Sequence, residues 1–442
     1  FPAHRTEFVV DLPQAEPSMT PSGRRIVECL AGRRLRPMGV VSTFRSVVRV
    51  RKPTLDPVER RLRRCVSVED YRKVAKRRLP RGVCDYIDGA AEAERTRVGN
   101  VDAFSRYEFQ PRVLRDVSNL DTSVSILGRV ASMPLIIAPT GYTRIAHSQG
   151  ELAVARAAER AGIPYSLSTM GTRSIEDIAA VSASDKWFQI YTWRDRPLVE
   201  ELVARAKAAG YTTVWLTVDT AVLGRRERDV RRGFTLPPKI GPGTLIDGAI
   251  HPGWTLDFLR NEPIMFSNVV GREELDGSTP ISLAAKVAGH FDQSLSWKDI
   301  DWLRSIWEGP IVLKGIQTVA DAKQAVAMGV QGIGLSNHGG RQLDDAPVPL
   351  ELVEPVRDTV GEGVTIICDG GVRRGSDIVK AIALGADAVT VGRPYLYALG
   401  AAGERGVDQL LSFLHEGMVR TMSLIGARTI AEIDRSLVTR KH

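Results

Sequence analysis

Residues 332–342 read Gly-Ile-Gly-Leu-Ser-Asn-His-Gly-Gly-Arg-Gln, and they join an apolar run to a turn with two functional side chains. The run from Gly332 to Leu335 is typical of a strand that is buried on both faces. It is followed by His338, which titrates near neutral pH, and by Arg341, whose planar guanidinium matches a carboxylate. The stretch therefore predicts a proton acceptor beside a carboxylate-binding cation at the carboxyl end of a strand.

Similar apolar runs recur along the chain from Pro134 onward, and helical segments lie between them. Several of these helices are predicted to end at a glycine, as at Gly162, Gly210, Gly329 and Gly385. Eight strands with helices between them predict an α/β protein with a closed (β/α)8 TIM barrel, preceded by a helical segment at residues 67–76. The candidate strands are residues 134–138, 165–168, 187–191, 213–218, 311–314, 332–335, 365–368 and 388–391.

The net charge of +8 is confined to the N-terminal part of the chain. Residues 1–65 hold 14 Lys and Arg against 6 Asp and Glu, whereas the rest of the 442 residues holds 46 of each. The N-terminal segment is also rich in proline and has little periodicity. We therefore predict a basic, mostly disordered extension over residues 1–65 and a neutral barrel domain over residues 66–442, and we expect no nucleic-acid partner.

Cysteine spacing and apolar run length argue against three further kinds of structure. The four cysteines are scattered with no CxxC spacing, so neither a disulfide framework nor a metal site is predicted. No apolar run approaches the ~18 residues that a membrane-spanning helix needs. The cysteines are Cys29, Cys65, Cys84 and Cys368.

A long insertion follows the fourth predicted strand, between Pro238 and Ser296, where a barrel loop usually has only a few residues. Its apolar side chains allow two interpretations: a lid that packs on the barrel mouth, or a monotopic contact with a membrane. These side chains are Ile246, Ile250, Trp254, Leu256, Phe258, Leu259, Ile264, Met265 and Phe266.

Polar residues lie at the carboxyl ends of the predicted strands, where barrel enzymes assemble their sites. In the segments 369–373 and 392–393, glycines let backbone N–H groups approach a phosphate, and the arginines supply positive charge. A simple tight turn is the alternative interpretation of the first segment. Lys314 follows a buried run and therefore needs an anionic partner, either a ligand or a barrel carboxylate.

These motifs resemble those of the FMN-dependent L-2-hydroxy acid oxidising family, and the resemblance runs from about Val66 to about Val438. The family includes glycolate and lactate oxidases, mandelate dehydrogenase and the bacterial quinone-linked L-lactate dehydrogenases, to which the chain is most similar. The resemblance implies that Lys314 stabilises negative charge on reduced FMN and that Asp369 binds the ribityl chain. The implied FMN-binding residues are Pro139, Thr140, Gly141, Ser168, Gln189, Thr217, Lys314, Ser336, Asp369, Gly371, Arg373, Gly392 and Arg393.

The resemblance also implies catalytic roles. His338 would remove a proton, and Asp219 would orient it, although Asp219 as a helix N-cap is the alternative. Either of the adjacent residues Arg225 and Arg226 could point inward; we assign Arg226. The implied catalytic residues are His338, Asp219, Tyr191 on the substrate hydroxyl, Arg341, Arg226 and Tyr86 on its carboxylate, and Lys314.

We therefore predict FMN-dependent oxidation of an L-2-hydroxy acid, with L-lactate favoured, to the 2-keto acid. Gly141 and the apolar insertion favour a quinone as electron acceptor and a peripheral position on the inner face of the cell membrane in the cytoplasm. The alternatives are an O2-using oxidase of a mandelate-like or glycolate-like substrate, a flavin barrel enzyme without net oxidation, and a binding protein. The resemblance also implies a homo-oligomer, a tetramer.

Overall fold

Eight parallel strands close into a barrel in which every strand is hydrogen-bonded to two neighbours. This computed structural model describes residues 54–191, 193–232, 242–269 and 291–441. The barrel strands, β4 to β11, follow one another around the barrel in chain order, so the predicted (β/α)8 barrel is confirmed. The strands are β1 (Tyr107–Phe109), β2 (Val124–Ile126), β3 (Arg129–Ala131), β4 (Leu135–Ile137), β5 (Tyr165–Ser168), β6 (Lys186–Tyr191), β7 (Thr213–Thr217), β8 (Ile311–Ile316), β9 (Gly332–Ser336), β10 (Thr365–Asp369), β11 (Ala388–Val391) and β12 (Val438–Arg440).

Helices surround the barrel, and the predicted glycine stops follow four of them. Gly162, Gly210, Gly329 and Gly385 all have positive φ, which a residue without a Cβ adopts at little cost. The helices are α1 (Pro57–Leu62), α2 (Val68–Arg78), α3 (Arg81–Asp88), α4 (Arg95–Asp102), α5 (Gly150–Arg160), α6 (Ile175–Val181), α7 (Arg196–Ala208), α8 (Glu227–Arg232), α9 (Pro242–Ala249), α10 (Pro252–Arg260), α11 (Lys298–Ile306), α12 (Val319–Ala327), α13 (Pro349–Val360), α14 (Gly375–Ala383), α15 (Arg393–Ala402) and α16 (Glu404–Ile425).

One end of the barrel is closed by the hairpin of β2 and β3. Its Ile126 is fully buried in a cluster with Trp187 and Trp215, whose rings lie 5.4 Å apart on neighbouring strands. Apolar side chains fill this amino-terminal end, so in the described part of the barrel a ligand is expected at the carboxyl ends of the strands.

The two unusual segments of the sequence lie partly outside the described residues. Of the predicted N-terminal extension, residues 1–53 fall outside, and the disorder predicted for them stays a prediction. Residues 57–62 form α1, whose Leu62 is buried. The insertion contains α9 and α10, while residues 233–241 and 270–290 lie outside the description. In the part that is described, no helix is both long and apolar enough to cross a bilayer.

Asp88, the last residue of α3, joins three helices through one buried carboxylate. It accepts hydrogen bonds from Arg72 of α2 at 2.6 Å and from the Tyr397 hydroxyl of α15 at 2.6 Å, and Lys76 lies 2.9 Å away. Burial alone would raise the pKa of Asp88, but these three donors outweigh burial and hold its pKa well below the usual value. The carboxylate therefore fixes where α3 ends relative to the barrel.

We expect Asp88→Asn to lower the free energy of unfolding at pH 7 by about 3 kcal/mol, because Arg72 and Lys76 lose their shared anion. A depressed pKa contributes stability above the unfolded value of about 4, and this contribution is lost as the pH falls below it. The difference in the free energy of unfolding between wild type and variant, measured by urea unfolding, should therefore become smaller as the pH falls from 7 to 3.

The matched control is Asp345→Asn, because Asp345 pairs with Arg95 on the surface, where the side chains are 64% and 69% exposed. Asp345→Asn should lower the free energy of unfolding by less than about 1 kcal/mol. An Asp88 effect no larger than this control, or one independent of pH, would contradict the role assigned to the network.

Candidate active site

A cavity of about 420 Å³ opens at the carboxyl ends of the barrel strands. Most of the residues predicted for the site line it, and the others lie in the layer directly beneath. Those in the lining are Tyr86, Pro139, Thr140, Gly141, Tyr191, Arg226, Lys314, His338, Arg341, Asp369, Gly371, Arg373, Gly392 and Arg393. Those beneath or beside it are Ser168, Gln189, Thr217, Asp219 and Ser336.

His338 and Asp219 form a pair in which the imidazole Nδ1 lies 3.2 Å from the Asp219 carboxylate. Only 2% of the Asp219 side chain is exposed, and it meets the imidazole rather than the start of a helix, so the N-cap alternative is wrong. Burial lowers the pKa of His338 and outweighs the opposing effect of Asp219. The ring is therefore neutral at pH 7, and with Nδ1–H donating to Asp219 its Nε2 is free to accept a proton.

Lys314 is buried and has a barrel carboxylate as its partner. Its Nζ lies 3.0 Å from Asp369 and donates to the Ser336 hydroxyl at 3.0 Å. Burial would lower the pKa of Lys314, but Asp369 and Asp219 raise it above the usual value. Asp369, which burial alone would shift upward, is held at a pKa of about 2 by Lys314 and hydroxyl donors. The barrel carboxylate predicted as one possible partner of Lys314 is thus Asp369. Both residues also line the cavity.

Two arginines of the cavity are held by the carbonyl end of α3. Arg341 donates to the carbonyls of Tyr86 and Gly89 at 2.7 and 2.9 Å. Arg393 donates to the carbonyls of Ile87, Gly339 and Gly89 at 3.1, 2.8 and 2.8 Å. A helix ends in carbonyls with partial negative charge, so this position suits guanidinium groups.

These guanidiniums lack anionic partners. Among the described residues no carboxylate lies within ion-pair distance of Arg341, Arg373 or Arg393, and burial lowers the pKa of Arg341 to about 9 and that of Arg393 to about 10. Burial likewise lowers the pKa of Arg373, which donates to the Val372 carbonyl. Because a buried cation without an anion is costly, the cavity is electrostatically suited to anionic ligands.

Arg226 is the inward residue of the adjacent pair, since its side chain is 16% exposed whereas Arg225 is an exposed residue. Its Nη1 lies 3.6 Å from Asp229, its Nε is buried without a hydrogen-bond partner, and its guanidinium sits 6.0 Å from the ring centre of Tyr86. Arg341 lies over the same ring at 5.0 Å. Two guanidiniums therefore converge beside Tyr86.

The turn after β10 requires glycine. Gly370 and Gly371 have φ of 122° and 86°, and a Cβ at Gly371 would lie 1.9 Å from the Asn100 carbonyl. This turn, the amino terminus of α15 and the arginines at 373 and 393 surround one side of the cavity. Backbone N–H groups, a helix amino terminus and two guanidiniums together can hold a phosphate, so these residues fit the predicted cofactor.

Three predicted residues form a hydrogen-bonded row beneath the cavity. The Ser168 hydroxyl donates to the side-chain Oε1 of Gln189 at 2.7 Å, and the side-chain Nε2 of Gln189 donates to the Thr217 hydroxyl at 2.9 Å. The row joins β5, β6 and β7, so it fixes the amide orientation of Gln189 at the strand ends.

The described part of the insertion has an exposed side and a buried side. Leu256, Phe258 and Leu259 of α10 are 48%, 42% and 70% exposed, whereas Ile264 and Phe266 are 5% and 2% exposed. The Phe266 ring lies 5.5 Å from that of Tyr142, and both rings line the cavity. One stretch of the insertion is therefore a wall of the site, while another faces outward.

Sequence reasoning missed several residues that shape the site: Asn100, Asp229 and Gly315. Phe266 was named in the apolar insertion, and its place in the cavity wall agrees with the lid interpretation for this stretch. Asp229 is almost fully buried beside Arg226, and burial raises its pKa above the usual value. Gly315 has φ of 113°, and a Cβ there would lie 2.8 Å from the Asp219 side chain. Its position directly after Lys314, at the end of a buried run, was the one local signal available.

Comparison with known proteins gives a consistent result. A family described as FMN-dependent dehydrogenase matches residues 75–440. The chain is 40% identical over 377 residues to an L-lactate dehydrogenase of Caulobacter vibrioides, which covers 85% of this chain and 98% of the relative. It is 44% identical over 372 residues to glycolate oxidase 3 of Arabidopsis thaliana, covering 84% and 95%. A crystal structure of the monotopic membrane protein (S)-mandelate dehydrogenase matches with a TM-score of 0.82 and 41% identity over 85% of this chain and 100% of that one.

Gly315→Ala should displace Asp219 from His338, because the added methyl group and the Asp219 side chain cannot occupy the same space. We expect the pKa of His338 to fall further, since Asp219 raises it, and the free energy of unfolding to drop by about 3 kcal/mol. The measurements are the histidine Cε1 resonances in a pH titration and urea unfolding. Gly329→Ala is the control, with φ of 72° and no atom within 4 Å of the added Cβ. Equal His338 titration in both variants would contradict the prediction.

Proposed function

The chain belongs to the FMN-dependent dehydrogenase family, and we propose that it oxidises L-lactate and passes the electrons to a membrane quinone. That it uses FMN to oxidise a 2-hydroxy acid follows from the family itself. Substrate and acceptor are the finer part of the proposal. The observation that supports it best is the contact between His338 and Asp219 in a cavity that also holds Arg341, Arg373 and Arg393, which have no carboxylate at ion-pair distance among the described residues.

The cavity offers FMN a phosphate site and a cationic site. Arg373, Arg393 and the glycine turn at 370–371 would hold the phosphate, because both guanidiniums line the cavity and have no carboxylate at ion-pair distance among the described residues. Lys314, with a raised pKa, would remain charged beside the ring system and stabilise negative charge there. When bound, FMN supplies the acceptor for two electrons.

Arg341 and Arg226 would bind the substrate carboxylate. Arg341 uses one nitrogen for the α3 carbonyls, which leaves the rest of its fork for a carboxylate. Tyr86 lies beneath both guanidiniums and would bind the same group. Anchoring the carboxylate at two cations fixes the neighbouring carbon of the substrate relative to His338.

His338 would take a proton at Nε2, either from the α-carbon or from the hydroxyl. Asp219 would keep Nδ1 protonated and stabilise the imidazolium that forms, without becoming protonated itself. Tyr191, which lines the cavity and packs edge-on against Phe291 at 5.1 Å, would hydrogen-bond the substrate hydroxyl. Both proton sources are compatible with these contacts.

L-lactate is the proposed substrate because a relative matched over 98% of its own length is named an L-lactate dehydrogenase. Mandelate and glycolate are the alternatives, since relatives or structures with those names match comparably. Packing alone explains why residue 141 is glycine, because a Cβ there would lie 2.8 Å from the Met170 Cβ. It therefore contributes little to the choice of a quinone over O2.

We propose a membrane contact for the exposed side of α9 and α10. Leu245, Ile246 and Ile250 are 66%, 64% and 60% exposed, and the exposed residues of α10 continue this apolar surface along the chain. Asp257 and Trp254 hold α10 to the barrel through Ser148 and the Ile145 carbonyl. The solved relative named a monotopic membrane protein supports the same proposal.

Anaerobic addition of L-lactate should bleach the yellow holoenzyme, whereas His338→Gln should retain FMN and be reduced more slowly by a factor of about 10³ or more. The measurement is stopped-flow absorbance, with FMN identified by mass after heat release. Arg341→Lys is the companion variant and should mainly weaken substrate binding, because an ammonium cannot form the bidentate contact. Reduction by mandelate or glycolate but not L-lactate would overturn the substrate, and undiminished reduction of His338→Gln would overturn the base.

The triple variant Leu256→Ser, Phe258→Ser and Leu259→Ser should lose membrane binding but keep substrate reduction of FMN. At ~1 kcal/mol for each partly buried side chain, the partition coefficient should fall roughly 100-fold. Flotation with phosphatidylcholine–phosphatidylglycerol vesicles containing a quinone measures it.

The control changes three apolar residues elsewhere that are even more exposed, Val113, Leu114 and Val130, to Ser. It should float like the wild type and reduce the quinone at the same rate. A triple variant of α10 that floats normally, or that loses FMN reduction itself, would overturn the proposed membrane contact.

A further inference from the structure

The turn that carries His338 has an unusual backbone. His338, Gly339 and Gly340 have φ of 58°, 65° and 76°, so three successive residues lie in the left-handed region. Glycine tolerates this conformation, but histidine has a Cβ and is strained there. Such a conformation persists only where surrounding contacts enforce it.

Asn337 supplies those contacts through its side-chain amide. Its Oδ1 accepts from the Gly340 N–H at 3.0 Å and from Asn100 Nδ2 at 2.8 Å. Its Nδ2 donates to Asn100 Oδ1 at 2.8 Å and to the Pro347 carbonyl at 2.9 Å. All four hydrogen-bonding positions of the amide are therefore used, and it cannot flip without losing them.

Asn100 is the remote half of this reciprocal pair, which we call the amide clasp. It lies on α4, outside the barrel, and is 2% exposed, while Asn337 is 1% exposed. No hydrogen bond joins Asn100 to His338 or Asp219 in the described structure, and Asn100 does not line the cavity. Asn100 can act on His338 through Asn337 and the backbone of the turn, and it also packs against the glycine turn at 370–371.

The orientation of the imidazole depends on this backbone. His338 Nδ1 meets Asp219 at 3.2 Å, near the upper limit for a good hydrogen bond, so a small rotation of the turn would break the contact. The Ser336 hydroxyl accepts from the His338 N–H, and Arg393 donates to the Gly339 carbonyl. The clasp reaches the turn from outside the active-site residues, as does the Ala91 N–H, which donates to the Gly340 carbonyl at 2.8 Å.

We propose that Asn100, acting through Asn337, is a positioning residue that holds His338 in the backbone conformation in which its imidazole meets Asp219. The inference rests on the proposed role of His338 as the base. Asn100 binds neither substrate nor cofactor, and its effect is on the rate of proton removal rather than on substrate affinity.

Asn100→Ala in the holoenzyme tests the proposal. The rate constant of flavin reduction at saturating substrate should fall about tenfold or more, because a small misplacement of a catalytic group is costly. The substrate concentration for half-maximal rate should change less than about twofold, since the two substrate-binding arginines are untouched.

The ionisation of His338 gives a readout independent of turnover. Asp219, Asp369 and Lys314 are the charged groups that act on it, and the two carboxylates raise its pKa whereas Lys314 lowers it. Loss of the Asp219 contact should therefore move the His338 titration, followed by its Cε1 resonance, to lower pH. The resonance is assigned with His338→Gln.

Asn268→Ala is the matched control. Asn268 is also a buried amide, 3% exposed, and it bonds the backbone of Ile175 and Arg173 far along the chain from the turn. It should lower the unfolding midpoint in urea as Asn100→Ala does, while leaving the reduction rate constant and the His338 titration unchanged.

Two results would overturn the inference: a reduction rate constant within twofold of wild type in Asn100→Ala, or an unchanged His338 titration. If Asn100→Ala yields no folded holoenzyme, Asn100→Ser is used, because its hydroxyl can still donate to Asn337 Oδ1. It should show a smaller effect in the same direction, and no effect would again overturn the inference. Failure of the proposed function is distinct, since it would appear as no reduction of the wild type or as normal reduction in His338→Gln.

Discussion

The Gly89 carbonyl accepts hydrogen bonds from Arg341 and from Arg393, and this shared contact fixes the two anion-binding sides of the cavity relative to each other. The carbonyl end of α3 supplies the partial negative charge that lets two guanidiniums approach the same point. Asp88, one residue earlier, ties that end to α2 and α15. A helix that precedes the barrel in sequence thus completes a site whose other parts come from strand ends.

Charge is distributed over the site in a way that separates internal pairs from ligand-binding groups. Lys314 is neutralised by Asp369, and His338 is neutral beside Asp219. Arg341, Arg373 and Arg393, in contrast, have carbonyl partners but no carboxylate among the described residues. A 2-hydroxy acid and a phosphorylated cofactor each bring an anion, so bound ligands would supply the charge that the protein leaves out.

Sequence predicts the barrel and most of the site because both depend on local order. Each barrel strand is a short apolar run, four of the helices are followed by a glycine with positive φ, and functional side chains lie at or just after the carboxyl ends of the strands. Asn100 and Asp229 are different, since each reaches the site from a segment distant in sequence and has no local pattern that predicts it. The roles of the site residues, the disorder of residues 1–53 and the oligomeric state stay predictions.

Phe266 connects the outer surface of the insertion with the wall of the cavity. The segment that returns from the exposed helices α9 and α10 ends as a wall of the cavity against Tyr142. An insertion or deletion that remodels the outer surface therefore also changes the shape presented to the substrate side chain. If the proposed membrane contact of α9 and α10 is correct, location and choice of acid would not vary independently, because both would depend on this one segment.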